Sequence, residues 1–372
     1  MGEGKTKKTY GLSEEIKTGR MRLPVLEYRP RDPKRHHPGI GLIGCGGITE
    51  QHLRAYRNAG YNVVALCDLH LDRARRRKAE FYPDAEVYRD YRRLLAREDI
   101  EVVDIATHPP ERVELIRAAL EAGKHVLSQK PFVLDLAVGE TLVSLAENKG
   151  LRLAVNQNGR WSPHWSWMRK AVQADLVGDL AGAQLEVCWD HNWTAGTVFD
   201  RIPHLILYDF AIHWFDIATV FLGARTPRRV YASVEHSKSQ RARPPLLAHA
   251  VADYEEGQAT FSFSADCRFG QRDTTTLVGA KGCLRSEGPS LLEQRVTLFT
   301  DKGYGSPTLR GAWFPDGFHG SMGELLCAIE ENREPENSAR GNLRSLALCF
   351  AAVASADTGK PMVPGKVKRI SV

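Results

Sequence analysis

Ile40-Gly41-Leu42-Ile43-Gly44-Cys45-Gly46-Gly47-Ile48-Thr49 decides the fold. An apolar run leads straight into glycines, the pattern of a buried strand that ends in a sharp bend. The turn fits G-x-G-x-x-G with Thr49 in the last place, where a small side chain is needed for helix–strand packing. Gly44 makes the tight turn. Gly46 and Gly47 keep the backbone bare for a pyrophosphate, and Ile48 opens the helix whose N-terminus would receive it. Asp68 ends the next apolar run, Val63 to Cys67, 24 residues after Gly44. A carboxylate there accepts hydrogen bonds from both ribose hydroxyls of NAD and repels the 2′-phosphate of NADP. The expected cofactor is therefore NAD, with NADP disfavoured; Arg73 and Arg75 nearby are the features that speak for NADP.

Outward from this turn the same texture repeats. Helices are expected over 48–58, 72–81, 111–121 and 135–148, with Gly60, Gly123 and Gly150 after three of them. Between them lie short apolar strands at 63–67, 102–106 (followed by Thr107), 125–127 and 151–155. This alternation predicts an α/β fold whose N-terminal Rossmann domain, 39–158, is a doubly wound parallel sheet. The pattern then shifts. A helix over 164–176 precedes alternating stretches at 183–190, 229–234, 247–254, 258–265, 274–278 and 295–299, interrupted by a helix over 207–222. Alternation with turn residues between predicts a C-terminal α+β domain, 159–372, with a large, mostly antiparallel open sheet for substrate binding and oligomerisation. Two closing helices, near 321–331 and 343–355, are expected to pack back on the Rossmann domain. Residues 1–38 read as an arm, because Pro24, Pro30, Pro33 and Pro38 prevent a long helix; Leu23, Val25 and Leu26 are placed to pin it across a domain surface.

A chain of 372 residues is long enough for two cores. Hydrophobic residues at 42% and charged residues at 26% exclude disordered and fibrous classes. No apolar run approaches the ~18–20 residues of a membrane span. The polar, lysine-rich start lacks a secretory apolar stretch, which makes the cytoplasm the expected location. Seven cysteines with no CxxC spacing argue against a disulfide framework or zinc knuckle and for small buried residues. Residues 1–37 hold ten Lys or Arg and five Asp or Glu, so +5 of the net +6 lies in the arm. The cluster Arg73, Arg75, Arg76, Arg77, Lys78 reads as the solvated side of a helix, and no nucleic-acid partner is expected. A homo-oligomer, dimer or tetramer, is expected, because a sheet covered by helices on one face leaves the other needing cover, and tryptophan-bearing strands would supply it.

Three further segments carry a resemblance: Gly123-Lys124-His125-Val126-Leu127-Ser128-Gln129-Lys130-Pro131, Asp209-Phe210-Ala211-Ile212-His213-Trp214-Phe215-Asp216, and Gly323-Glu324-Leu325 onward to Pro364. With the glycine turn, they make the chain from about residue 39 onward resemble the glucose–fructose oxidoreductase, inositol dehydrogenase and rhizopine catabolism (Gfo/Idh/MocA) family. The resemblance implies an NAD-dependent dehydrogenase acting on the CH–OH group of a sugar, polyol or glycoside, in carbohydrate metabolism. In that family a Glu-Lys-Pro lysine touches both cofactor and substrate. Lys130 and Pro131 match it, while Gln129 replaces the glutamate and removes a charge that would hold the lysine protonated. The family's Asp-x-x-x-His matches Asp209 and His213, which at i, i+4 share one helical face.

Hydride transfer from an alcohol needs a base for the hydroxyl proton. Lys130, Asp209 and His213 are the candidate catalytic set, with Asp209 orienting the imidazole. The resemblance does not fix which of Lys130 and His213 takes the proton. Expected cofactor contacts are Gly44, Gly46, Gly47, Ile48, Asp68, Thr107, Gln129, Lys130 and Asn158. Expected substrate contacts are Lys130, Asn156, Arg160, Trp161, His191, Trp193, Asp209 and His213, since indoles and amides suit the faces and hydroxyls of a sugar ring. His204 and His319 are weaker candidates, and His52 and His70 read as surface or packing residues. No metal is expected, although Asp209, His213 and Asp216 with His191 or His204 form a possible ligand set. Two other functions stay open: a glycoside-cleaving enzyme that oxidises its substrate transiently with bound NAD, and a non-catalytic NAD-binding regulator, against which the retained Lys130, Asp209 and His213 argue.

Overall fold

The computed structural model describes residues 19–371. The chain begins the expected alternation with β1 (Gly39–Ile43), α1 (Thr49–Ala59), β2 (Val63–Cys67), α2 (Leu71–Phe81), β3 (Glu86–Tyr88) and α3 (Tyr91–Leu95). It continues with β4 (Ile100–Ile105), α4 (Pro109–Glu121), β5 (His125–Ser128), α5 (Leu136–Asn148) and β6 (Leu153–Val155). The six strands are parallel in the order β3-β2-β1-β4-β5-β6. All five residues of β1 are buried, as a strand covered on both faces by helices must be. The order reverses beside β1, and at that switch point the loops after β1 and β4 part to leave a crevice at the carboxyl edge.

The second half contains α6 (Pro163–Gln173), β7 (Leu180–Cys188), α7 (Ile212–Phe221), β8 (Arg229–Glu235), β9 (Leu247–Asp253), β10 (Gln258–Ser264) and β11 (Arg272–Gly279). It closes with β12 (Gly282–Gly288), β13 (Arg295–Thr300), β14 (Gly303–Gly305), α8 (Trp313–Glu330) and α9 (Ala339–Thr358). Eight strands form one sheet, β14-β13-β12-β11-β7-β10-β9-β8, antiparallel except for the β7–β10 pair. Alternate residues such as Ala183, Leu185, Val187, Phe261, Phe263 and Leu277 are buried beneath the helices, while Gln184, Thr260, Ser262 and Thr276 point the other way. The chain is thus a Rossmann domain joined to an α+β domain with a large open sheet.

The closing helices do return to the first domain: α8 packs on α1, and α9 packs on α5 as well as on α7 and β8. Residues 19–38 run as a strap. Met21 N donates to Tyr304 O on β14, Leu23 and Leu26 pack on the core, and Glu330 of α8 accepts from the backbone of Lys34, Arg35 and His36. Val25 is almost wholly exposed and pins nothing. The rest of the expected arm, 1–18, lies outside the described residues. No helix among the described residues is long and apolar enough to cross a membrane. All seven cysteines are free, with Cys45, Cys67, Cys327 and Cys349 buried.

Three expectations are corrected. The helix over 207–222 is two pieces, a π-helical turn over Leu205–Phe210 and then α7. Tryptophans do not cover the open sheet face: Trp161, Trp165, Trp167, Trp214 and Trp313 lie on helices and helical turns and are buried. Arg77 is not solvated with its neighbours but buried against the glycine turn.

Candidate active site

The glycine turn is built as its sequence requires. Gly44 sits at φ 92°, and a Cβ there would meet the Ala106 carbonyl oxygen at 2.8 Å. A Cβ at Gly46 or Gly47 would meet nothing within 4 Å, so the backbone is bare towards open space. Ile48 gives α1 no side-chain cap; Glu50 N and Gln51 N turn back to Gly47 O and Ile48 O, and the positive end of the helix dipole faces the turn, where it favours an anion. Thr49 is fully buried and its hydroxyl donates to Gly46 O at 2.7 Å. The Asp68 carboxylate accepts from Cys45 N and His70 N, both at 2.8 Å, and is thereby fixed beside the turn. Arg77 braces the far side, donating to the carbonyls of Gly46 and Gly47 at 3.2 Å while Glu80 pairs with it at 2.7 Å. A bare cradle, a helix N-terminus behind it and a carboxylate at the end of β2 together fit a nicotinamide dinucleotide.

Lys130 follows β5 and therefore stands at the carboxyl edge of the parallel sheet. Its ammonium reaches across to the second domain, donating to Asp209 O at 2.8 Å and to Asp209 Oδ1 at 3.2 Å. His213 lies beside this pair. Burial, and then the Lys130 charge, hold its pKa well below the usual imidazole value, so the ring is neutral near pH 7. Its Nδ1 is buried and unpartnered, and the ring meets Trp313 edge-on at 5.3 Å. Asp209 and His213 make no hydrogen bond to each other, because the π-helical turn ends between them and the Asp209 carboxylate is committed to Lys130.

Residues 39–157 match the model of an oxidoreductase family described as having an NAD-binding Rossmann fold, and residues 165–285 match the GFO/IDH/MocA C-terminal domain. The chain is similar to D-apiose dehydrogenase of Paraburkholderia graminis, 31% identical over 340 residues, or 86% of this chain and 88% of the relative. Inositol 2-dehydrogenase of Rhizobium meliloti is 26% identical over 326 residues, 85% of this chain and 96% of that protein. Among solved structures, an oxidoreductase from Agrobacterium radiobacter in complex with NAD+, L-tartaric acid and magnesium superposes with a TM-score of 0.77 at 21% identity, covering 89% of this chain and 99% of that one. The chain belongs to the GFO/IDH/MocA oxidoreductase family.

The family's lysine loop is held here by a residue that the sequence did not single out. Arg112 of α4 is 1% exposed and donates to the carbonyls of Thr107, Gln129 and Pro131. It staples the ends of β4 and β5 together. Burial brings its pKa down to about 10, against the opposing pull of Tyr208 and Asp209, so it remains a cation at neutral pH. Its one sequence signal is a charged residue on the buried face of an otherwise amphipathic helix.

The remaining candidates separate into two groups. His191 stays near the site, where burial above all lowers its pKa to about 4, with Lys130 adding to that and Asp209 opposing it. Its Nδ1 accepts from Trp189 Nε1 at 2.8 Å, and its ring meets Phe210 at 4.8 Å and Trp193 at 5.1 Å. Trp193 is 53% exposed. The second group is interior. Arg160 spends its guanidinium on Asp216, at 2.6 and 2.7 Å, and on Glu336 O, and Asp216 also accepts from Ser345. Asp216 is thus committed away from Asp209 and His213. Asn158 accepts from Trp313 Nε1 at 2.8 Å, and Trp161 is buried under Gly320 and Arg169. Asn156 and Gln129 turn inward towards His52. These side chains hold the domain junction rather than open towards a ligand. His204 and His319 pair at the surface with Asp357 and Asp32, and His70 is exposed.

Proposed function

We propose that this NAD-binding oxidoreductase is a dehydrogenase that oxidises a CH–OH group of a sugar, polyol or glycoside, with Lys130, Asp209 and His213 converging on the reacting hydroxyl. The carrying observation is the Lys130–Asp209 contact between the two domains, 3.2 Å at the carboxylate, with a neutral imidazole beside it. NAD, when bound, supplies the hydride acceptor. Gly44, Gly46, Gly47, Ile48 and Asp68 hold it, with Thr107 beside the turn, and Asp68 favours NAD over NADP through its charge. His213 is free to take the hydroxyl proton because it carries only one of its own near pH 7. Lys130 stabilises the oxygen as negative charge develops on it, a role suited to a pre-positioned ammonium in a partly dry site. Asp209 balances that ammonium and keeps it aimed. Trp193 and His191 offer an aromatic edge to the apolar face of a ring.

The named relatives are dehydrogenases of apiose and inositol, and a CH–OH group of a polyhydroxylated compound is the substrate class inferred here. The test is a panel of myo-inositol, D-apiose, free sugars and simple glycosides, each mixed with NAD and followed by the absorbance of reduced nicotinamide. Reduction by at least one member supports the reading. Failure across the panel, with NAD shown to bind, would overturn it.

A further inference from the structure

Beneath the lysine loop lies a buried polar cluster centred on a histidine that the chemistry above does not use. His52 of α1 is fully buried. Its Nδ1 stands 2.7 Å from Asp104 Oδ2 on β4, and the Tyr56 hydroxyl donates to the same oxygen at 2.7 Å. Its Nε2 faces two side-chain amides, Asn156 Nδ2 at 3.2 Å and Gln129 Nε2 at 3.4 Å. The other end of the Gln129 amide, Oε1, accepts from Lys130 N at 2.7 Å. Phe318 of α8 closes the cluster, its ring 4.8 Å from the imidazole.

These partners fix where the protons are. A carboxylate can only accept, so the hydrogen on Nδ1 points at Asp104. A neutral imidazole then has Nε2 as an acceptor, and both groups facing it are NH2 donors. The orientation of Gln129 is set independently: Lys130 N needs the oxygen end, which leaves the nitrogen end for His52. The path from the cofactor helix to the lysine loop is therefore one continuous hydrogen-bonded line with a single consistent polarity.

We propose that His52 is a positioning residue for Lys130, and that it forms a matched pair with Gln129 in which residue 129 must present an N–H. The proposal rests on Lys130 acting as described above. It also explains the glutamine that stands where the resemblance leads one to expect glutamate. A carboxylate at 129 would set a second acceptor against Nε2. Either the loop is pushed off its seat, or the ring takes a second proton and sits between two carboxylates. Among the described residues the titratable groups within hydrogen-bonding reach of the ring are Asp104 from β4 and Tyr56 from α1; Gln129, Asn156 and Phe318 carry no charge.

The experiment pairs a spectroscopic readout with a kinetic one, both on the full-length protein. Imidazole 15N NMR of the wild type should show His52 as the Nδ1–H tautomer. In Gln129→Glu the ring should become a doubly protonated imidazolium at pH 7. Turnover of a reactive member of the panel above should fall about ten- to a hundredfold, the scale of a ~1 Å misplacement, with NAD affinity within about twofold. Adding Asp104→Asn to Gln129→Glu moves the one carboxylate to the other side of the ring; His52 should switch to the Nε2–H tautomer and turnover should recover. A wild-type Nε2–H tautomer, an unchanged ring and rate in Gln129→Glu, or a double variant no better than the single one would each overturn the pairing. Should Gln129→Glu not fold, Gln129→Met replaces it: lowered turnover with NAD binding kept supports the pairing, and wild-type turnover sinks it. If no panel member is oxidised, the dehydrogenase reading fails while the tautomer measurements still decide the pair.

Discussion

Burial and the Lys130 ammonium both disfavour a second proton on His213, so the ring meets its substrate as a proton acceptor. The sign of the pH effect follows. A base whose pKa lies well below the usual imidazole value stays unprotonated as pH falls through about 6.5, and the acid limb of kcat/KM should therefore lie below that point. His213→Ala should abolish that limb. His213→Ala and Lys130→Met should each lower the hydride-transfer rate by about two to four decades, the span of a positioned acid or base, while binding NAD nearly as the wild type does. Stopped-flow measurement of NADH formation checks this, and wild-type rates in both variants would remove them from the chemistry. Asp68 acts at the other end of the cofactor. Its carboxylate already holds Cys45 N and His70 N, so Asp68→Ala should loosen the turn as well as remove the charge that repels a 2′-phosphate. NAD should bind more weakly and NADP less so, narrowing the preference between them. Tighter NADP binding by the wild type would contradict the assignment.

At the scale of single elements, β11 carries an uncompensated cost. Asp273 faces inward and is 1% exposed, and burial raises its pKa to about 7, with Trp214 pulling weakly the other way. A carboxyl raised above its unfolded value favours the fold only while protonated. Its contribution is complete below about pH 4 and is lost as pH rises through about 7. Asp273→Asn keeps an acceptor for Gln294 Nε2 and removes the ionisation. It should melt higher than the wild type at pH 8, by a margin on the order of a few kcal/mol, and level with it near pH 4. Equal melting at both values would show that the carboxyl is not held in that state. The same strand shows why parts of the fold were legible in sequence and parts were not. Alternation marked β7 to β11 because Leu185, Val187, Phe261 and Phe263 face the core at every second place. It did not mark β12, where Ser286 fills an inward position, nor the three-residue edges β3 and β14. The start of α8 was hidden by Pro315, Gly317 and Gly320, yet Gly317 and Gly320 are there because Asn158 and Trp161 press against them. In the site, Lys130, Asp209 and His213 were singled out through the segments that resemble the family's motifs. Arg112 and His52 were not, since burial rather than any motif makes them matter.

Across the whole molecule the two domains are tied by groups that a linear reading treats separately. Lys130 of the first domain binds Asp209 of the second, and α8 and α9 lie back over α1 and α5. The open face of the eight-stranded sheet is different. Helices cover one side, and on the other Gln184, Glu186, Thr260, Ser262, Thr274, Thr276, His249, Tyr231 and Val278 stand in rows, half-buried by one another or exposed. That surface is broad, rich in hydroxyls and short side chains, and bounded at β8 by the charged Arg229 and Glu235. A second copy of the chain presents the same rows and would bury both faces symmetrically, the geometry of an isologous contact. We therefore expect a dimer or tetramer built through this sheet, held more by packing and hydroxyl contacts than by indoles. Light scattering at micromolar concentration should give a multiple of the 41.5 kDa chain mass. Replacing Thr260 and Thr276 by arginine, on β10 and β11 either side of Gln184 of β7, should reduce the mass towards one chain while leaving NAD binding intact. A monomer in the wild type, or a variant whose mass does not change, would place the contact elsewhere or nowhere.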